Sequence, residues 1–452
     1  MSYQERLLKA IPGGAHTYSR GFDQYPSNAP EILSRGKGAY VYTPDDRPFL
    51  DYGMALRAVN LGYAEDEIDT AAFEAARNGN NLTRPSTVEL AAAELLIDLI
   101  DSIDMVKFTK NGSTAVSAAV KLARAYTGRD LVARCAEHPF FSYDDWFIGS
   151  TTITRGIPKE TISQTKVFHY NDIASLETLI AQHPGEIACV VIEPAASECP
   201  AVGTDKGGCC GQAVCTRNYL GPQENYLQQV ERVCKKHGIV FILDEMITGF
   251  RWHLQGAQHL YGVSPDLCTF GKAMANGYSV ACVSGKREIM ELGSIEFESR
   301  ERVFLLSTTH GAEMCGLGAF IATTNFMRRN PVIEHLWDYG GKLTALMRDK
   351  AQQYGLAHSF KVGGAACSPH YLTLDLNGNS SLELRTLFSQ EMIRHGVLMP
   401  WIALSYRHGQ AELEKTERAL DAALRVYRRA LDEGVGRYLE GPAIKPVFRK
   451  HN

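Results

Sequence analysis

No window of the 452-residue chain approaches the roughly 20 consecutive apolar residues that a membrane-spanning helix requires, so no membrane association is expected. The first ten residues are polar and amphipathic and contain no apolar stretch of secretory length, which leaves a cytoplasmic protein as the expectation. No long basic run stands out and the formal charge is small, 47 − 51 = −4, so nucleic-acid binding has little electrostatic support. No internal repeat and no low-complexity tract is visible. Cysteine, at 11 residues, is too sparse for a disulfide scaffold. Cys189 in IACVVIEP and Cys282 in SVACVSG read as small buried hydrophobes. Cys199, Cys209, Cys210 and Cys215 share one Gly-rich stretch (198–221), but their spacing is poor for zinc. Free thiols and no metal are expected there. No GxxxxGK[ST] loop is present, and no GxGxxG follows an early strand, which disfavours nucleotide hydrolysis and nicotinamide-dependent dehydrogenation.

What is present is the mix of an ordinary globular protein, 45% hydrophobic and 22% charged, and the length suggests two or three domains at about 150 residues each. The middle of the chain alternates apolar runs with helical patterns. VKFTK (106–110) precedes the helix-like STAVSAAVKLARAYTG (113–128). IACVVIEP (187–194) precedes an insert and the helical NYLQQVERVCKKHG (225–238). IVFILDE (239–245), PDLCTF (265–270) and SVACVSG (279–285) come next. Apolar runs without alternation suit strands buried on both faces, hence an α/β domain with a mainly parallel central sheet covered by helices. The ends differ: AYVYT (39–43) and PFLDYG (48–53) read as strands, and a long periodic segment (333–355) leads to HYLTLDL (370–376) and the helical 412–433. The expected division is a large domain over 61–330 and a smaller α+β domain built from 1–60 and 331–452.

Asp244 ends the apolar run IVFILD, and the C-terminal end of a parallel strand is where α/β sheets bind ligands. Lys272 comes after the next strand-like run and a glycine, 272 − 244 = 28 residues on. An acid and a lysine at successive strand ends can face one cavity, which suits a pyridoxal cofactor. The lysine forms a Schiff base, and the carboxylate keeps the pyridine nitrogen protonated. On spacing alone, a capping aspartate and a surface lysine fit equally well. Gly112, Ser113 and Thr114 in KNGST open a helix, where backbone N–H groups and hydroxyls can bind phosphate; a plain helix cap fits the same residues.

In this order the features resemble the class III, fold-type-I aminotransferases, and within them most closely the glutamate-1-semialdehyde aminomutases. The resemblance runs through IPGGAHTYSRGF (11–22), FTKNGST, LARAYTGR, DEMITGFR (244–251), PDLCTFGKAMANG (265–277) and STTHGAE (307–313) and covers almost the whole chain. It implies pyridoxal 5′-phosphate (PLP) as cofactor, Lys272 as its covalent carrier and proton shuttle, and Asp244 as partner of the pyridine nitrogen. It implies Gly112, Ser113 and Thr114 on the phosphate, with Thr308 and Thr309 completing that site from the neighbouring subunit of a homodimer. Phe140 aligns with the aromatic ring that stacks on the cofactor, Glu193 with a position beside it, and Arg20 with an arginine that grips the substrate carboxylate.

The chain departs from the aminomutases where they carry Trp-Gly-Pro; here stand Leu56, Arg57 and Ala58. A flat aromatic wall is replaced by a second cation, which points to a different, more acidic or larger substrate. The insert 198–221 is longer than the corresponding family loop, and His310 stands where small residues are usual. The expected activity is transfer of an amino group from an amino-acid donor to an aldehyde or ketone acceptor, sugar-derived or acidic. The alternative is the intramolecular aminomutase reaction giving 5-aminolevulinate.

Overall fold

The computed structural model describes residues 1–202, 223–296, 298–299 and 301–452. The apolar runs of the middle of the chain are strands: β1 Met105–Thr109, β2 Leu131–Cys135, β3 Thr165–Phe168, β4 Ile187–Ile192, β5 Val240–Asp244, β6 Leu267–Phe270 and β7 Ala281–Gly285. Every residue of β4, β5, β6 and β7 is buried, as a sheet covered on both faces requires. Among the described residues these strands form one sheet in the order β1-β7-β6-β5-β4-β2-β3. The pairs from β6 through β3 are parallel, and β7 alone runs against both its neighbours.

Two helices pack against the strand that carries the acid. Helix α1, Gly112–Thr127, buries Ala115, Val116, Ala118, Ala119, Val120, Leu122 and Ala123. Four of these are alanines, which lets the helix lie close on the sheet. It ends at Gly128, whose φ of 67° closes the last turn in the left-handed region. Helix α2, Tyr226–His237, opens with an Asn225/Gln228 capping box and leads into β5.

The described residues divide into two compact units. One joins Met1–Glu65 to Glu334–Asn452; the other holds the described residues between 66 and 333. In the first unit, Arg35–Lys37, Tyr40–Tyr42, Pro48–Asp51 and Val397–Leu398 make a four-stranded sheet. Its last pair is parallel, Val397 opposite Leu50 and Leu398 opposite Asp51, so the two ends of the chain share one sheet. Buried Tyr52 ties this sheet to the long helices, its hydroxyl 2.7 Å from both Tyr339 Oη and Thr416 Oγ1.

Directly after Pro48–Asp51 the backbone makes a left-handed turn. Met54, Ala55, Leu56 and Arg57 have φ of 38°, 50°, 62° and 67°. For residues with a Cβ this region costs roughly 1–2 kcal/mol each, so the turn stores on the order of 4–8 kcal/mol of local strain.

One expectation about cysteine fails. Cys199 is disulfide-bonded rather than free. Cys209, Cys210 and Cys215 lie outside the described residues. Cys189 and Cys282 are buried free thiols inside strands.

Candidate active site

Asp244 is the last residue of β5 and only 3% exposed. Its Oδ1 accepts from the Met246 amide (3.0 Å) and from Thr269 Oγ1 (3.0 Å), which fixes the carboxylate at the strand end. Burial pushes its pKa up from an ordinary 3.8 to about 6, against those hydrogen bonds and the nearby charge of Lys272, which pull it down. At neutral pH the group is therefore ionised in a buried place, a situation that favours a cation opposite it.

Lys272 comes after β6 by way of Gly271 and starts a short 3₁₀ turn, Lys272–Ala275. It has φ of 45°, unusual for a residue with a Cβ, so the lysine sits on strained backbone at a strand end. β5 and β6 are adjacent and parallel, with Asp244 opposite Thr269. That pairing is what brings acid and lysine together.

The KNGST segment opens α1, but the cap is Asn111 rather than a serine or threonine. Asn111 Oδ1 accepts from both the amide (2.9 Å) and the hydroxyl (3.0 Å) of Thr114. Thr114 is thereby engaged in the cap, and Gly112 and Ser113 form the forward edge of the helix. Ser113 is 5% exposed, and its Oγ accepts from the Tyr143 amide at 3.2 Å. Tyr143 also places its hydroxyl 3.3 Å from Thr114 Oγ1. Sequence reasoning misses this residue; its only signal is its place in the aromatic stretch after Phe140.

Met246 links the three parts. A Cβ added to Gly112 would fall 2.8 Å from Met246 Sδ, and one added to Gly271 would fall 2.6 Å from the same atom. Both glycines are therefore needed for the close approach of cradle, acid strand and lysine turn around one thioether. Glu245 escapes sequence reasoning as well. It is fully buried and accepts from the Ala257 amide (3.0 Å), the Gln258 amide (2.8 Å) and the Thr248 hydroxyl. It thus fixes the chain that leaves β5.

The remaining residues expected from the sequence are more scattered. Glu193 lies just past β4, is 3% exposed, and donates its amide to His138 Nδ1 at 3.0 Å. Burial lowers the His138 pKa to about 3, so this imidazole is a neutral acceptor. Phe140 is 47% exposed, with its ring edge-on to Phe147 at 5.7 Å. Thr308 and Thr309 are exposed and line a cleft of about 210 Å³ together with Asn81, Arg84 and Ser86. Their segment is tied down by Asn81 Nδ2 donating to Thr309 O (2.8 Å) and by a Lys110–Glu313 ion pair (2.7 Å). His310 makes a polar contact with Asn81 Nδ2 at 3.3 Å. Arg20 and Arg57 belong to the first unit. Arg57 lies 5.9 Å from the Trp401 ring centroid, and Arg20 is exposed, its charge reaching Tyr25 and Tyr63.

The second unit's residues fit PLP. The forward edge of α1 supplies amides and a serine hydroxyl for a phosphate. The ionised Asp244 suits a protonated ring nitrogen, and Lys272 supplies the amine. Among the described residues no cluster of histidine, cysteine or carboxylate side chains could hold a metal ion.

Comparison with known proteins agrees. Residues 23–399 match the family model for class-III aminotransferases. A 3-aminobutyryl-CoA aminotransferase of Cloacimonas acidaminovorans (strain Evry) is 30% identical over 434 residues, 96% of each chain. A glutamate-1-semialdehyde 2,1-aminomutase of Nitrosospira multiformis is 36% identical over 296 residues, 64% of this chain and 65% of that one. The FumI protein of Sphingopyxis sp. MTA144, solved with PLP, matches with a TM-score of 0.80 and 25% identity, over 95% of this chain and 97% of that one. An omega-transaminase from Sphaerobacter thermophilus matches with a TM-score of 0.79 and 26% identity, over 94% and 97%.

Proposed function

Because this chain belongs to the class-III aminotransferases, and is therefore a PLP-dependent enzyme, we propose that it carries an amino group between two separate molecules. The donor is an amino acid and the acceptor an aldehyde or ketone that bears a negative charge, an oxo acid or an oxidised sugar. The observation that carries this reading is Arg57, set in the left-handed turn of the first unit where the aminomutases have Trp-Gly-Pro. A guanidinium fork there supplies bidentate recognition of a carboxylate in place of an apolar wall. The end-to-end similarity to an enzyme named as an aminotransferase supports it.

When bound, PLP supplies the aldehyde that takes up nitrogen and the ring that accepts electrons from the neighbouring carbon. The residues do the rest. Lys272 Nζ acts as neutral amine, holding the cofactor between turnovers and taking and returning a proton at the substrate carbon that bears the nitrogen. Asp244 holds its negative charge at a fixed strand end. Gly112, Ser113 and Thr114 anchor the phosphate, joined by Thr308 and Thr309 of a neighbouring subunit in a homodimer. Phe140 offers a ring face, Glu193 borders the ring, and Arg20 and Arg57 hold the substrate carboxylate.

The aminomutase reaction is the second reading, favoured by the 36% identity to the Nitrosospira protein. One pair of assays separates the two. Purified yellow enzyme is mixed with alanine, glutamate and 3-aminobutyrate while the absorbance of the bound cofactor is monitored. Bleaching by an amino acid supports intermolecular transfer. Rapid 5-aminolevulinate formation from glutamate-1-semialdehyde, with no added donor and no bleaching by the amino acids, would reverse the order.

A further inference from the structure

Nothing in the side chains of Met54, Ala55, Leu56 and Arg57 favours the left-handed region, yet all four adopt it in succession. The conformation is therefore imposed by its surroundings, and the imposing contacts converge on Asp51. This residue is 7% exposed. Its carboxylate accepts from the Gly53 amide at 2.6 Å and the Met54 amide at 3.1 Å, the two donors at the entry to the turn. Tyr63 closes the clamp by donating its hydroxyl to Asp51 Oδ2 at 2.6 Å. From the other side Trp401 Nε1 donates to Gly53 O at 3.0 Å. Met54, fully buried, is sealed beside Val59 and Ala403, with Ala55, Tyr63 and Trp401 packed against them.

What the clamp delivers is the direction of the Arg57 side chain. The same Trp401 that holds Gly53 O lies 5.9 Å under the Arg57 guanidinium. The charges of Arg57 and Arg385 also reach His370, which burial, first of all, keeps neutral with a pKa lowered to about 4. Arg385 donates to Pro400 O at 2.6 Å and lies over the Tyr371 ring. Arg57 is the cation that the turn itself steers.

We propose that Asp51 is a positioning residue for substrate selection: with Tyr63 and Trp401 it holds the left-handed turn that aims Arg57 at the carboxylate of an amino-acid or oxo-acid substrate. The inference rests on the reading of Arg57 as a carboxylate binder. Strain held at one place by a buried carboxylate is a known way to preorganise a recognition group.

The test compares amines that differ only in the carboxylate. Holoenzyme is mixed with 3-aminobutyrate and with isopropylamine, its carboxylate-free counterpart, and the concentration dependence of cofactor bleaching gives an apparent KM for each. R57A is expected to raise the KM ratio of the two amines roughly 10–100-fold, the loss of a charge-assisted pair. If it does not, the carboxylate-binding reading of Arg57 fails, and the inference with it. Given that effect, D51N and Y63F should each raise the ratio about 3–20-fold, with the bleaching rate at saturation much less affected. Ala55→Gly keeps the fold readily, because glycine accepts φ of 50° without strain. It should leave the ratio near its wild-type value, because the turn keeps its shape with less strain. The double variant D51N/R57A should be no worse than R57A alone, since one acts through the other. A normal ratio in D51N and Y63F beside a raised ratio in R57A, or additive losses in the double variant, would overturn the positioning role while leaving Arg57 as binder.

Discussion

Replacing Asp244 with asparagine should make the cofactor-free protein more stable and the enzyme nearly dead. Asparagine keeps the Oδ1 acceptor that takes the Met246 amide and the Thr269 hydroxyl, so the shape of the strand end survives and only the charge is lost. The folded-state pKa of Asp244 is raised from 3.8 to about 6, burial being the main cause. A raised pKa means that the protonated form suits the fold. Its contribution is fully present below the unfolded value near 3.8 and is lost as pH rises through about 6. At about pH 8 the wild-type chain therefore carries the whole penalty, (6 − 3.8) × 1.36, or about 3 kcal/mol. The neutral amide does not carry it. For a unit of this size 1 kcal/mol moves the melting temperature by about 2–4 °C, so D244N should melt up to about 6–12 °C higher near pH 8. The gain should fade to nothing near pH 4. Thermal melts of cofactor-free protein by circular dichroism, taken across that range, measure it. A D244N protein that melts no higher than wild type at pH 8, or by the same increment at every pH, refutes the argument that buried charge is what this position tolerates for function. The holoenzyme should show the opposite trend, with weaker cofactor binding and turnover reduced by orders of magnitude.

Lys272→Ala should abolish turnover and the absorbance of covalently held cofactor while leaving far-UV circular dichroism unchanged; normal activity in that variant would remove the central assignment. Gly112→Ala places a Cβ 2.8 Å from Met246 Sδ, and overpacking of this kind costs about 1–3 kcal/mol. A cofactor dissociation constant raised roughly 5–150-fold is expected, recovered in part by adding Met246→Ala, and a fluorescence titration with PLP reads both.

The strands that carry the site are legible because their apolar runs are unbroken: IVFILD, LCTF and ACVSG are buried at every position. The strand Leu131–Cys135 escapes notice because Arg134 interrupts it. In the fold that guanidinium is only 7% exposed and is satisfied by Ser150 Oγ (2.7 Å), Ser150 O (2.8 Å) and Cys135 O (3.0 Å), partners no local pattern announces. Thr165–Phe168 lies at the sheet edge with two of its four residues not buried, which blurs its signal. The reversed direction of β7 is hidden too, since a run of apolar residues has no polarity of its own. At the site, Lys272, Asp244 and the KNGST helix start stand out by residue type and order. Tyr143 and Met246 do not, because their roles come from contacts with residues far along the chain. The left-handed turn is invisible for the same reason. Met-Ala-Leu-Arg contains no glycine, and it is Asp51, Tyr63 and Trp401 that hold it.

The pairing of Val397 with Leu50 also governs when this protein can exist. The partners are 397 − 50 = 347 residues apart. At a ribosomal pace of about 5–20 residues per second, the early strand waits roughly 17–70 seconds for its mate. During that time Pro48–Asp51 presents an unpaired edge, and the apolar residues it will cover stand open to water. The nascent chain is thus obliged to keep the early strand out of trouble, by chaperone cover or by transient disorder, until Val397 has left the tunnel. Conditions that stall synthesis before that point should send this protein to aggregates rather than to a shortened active form.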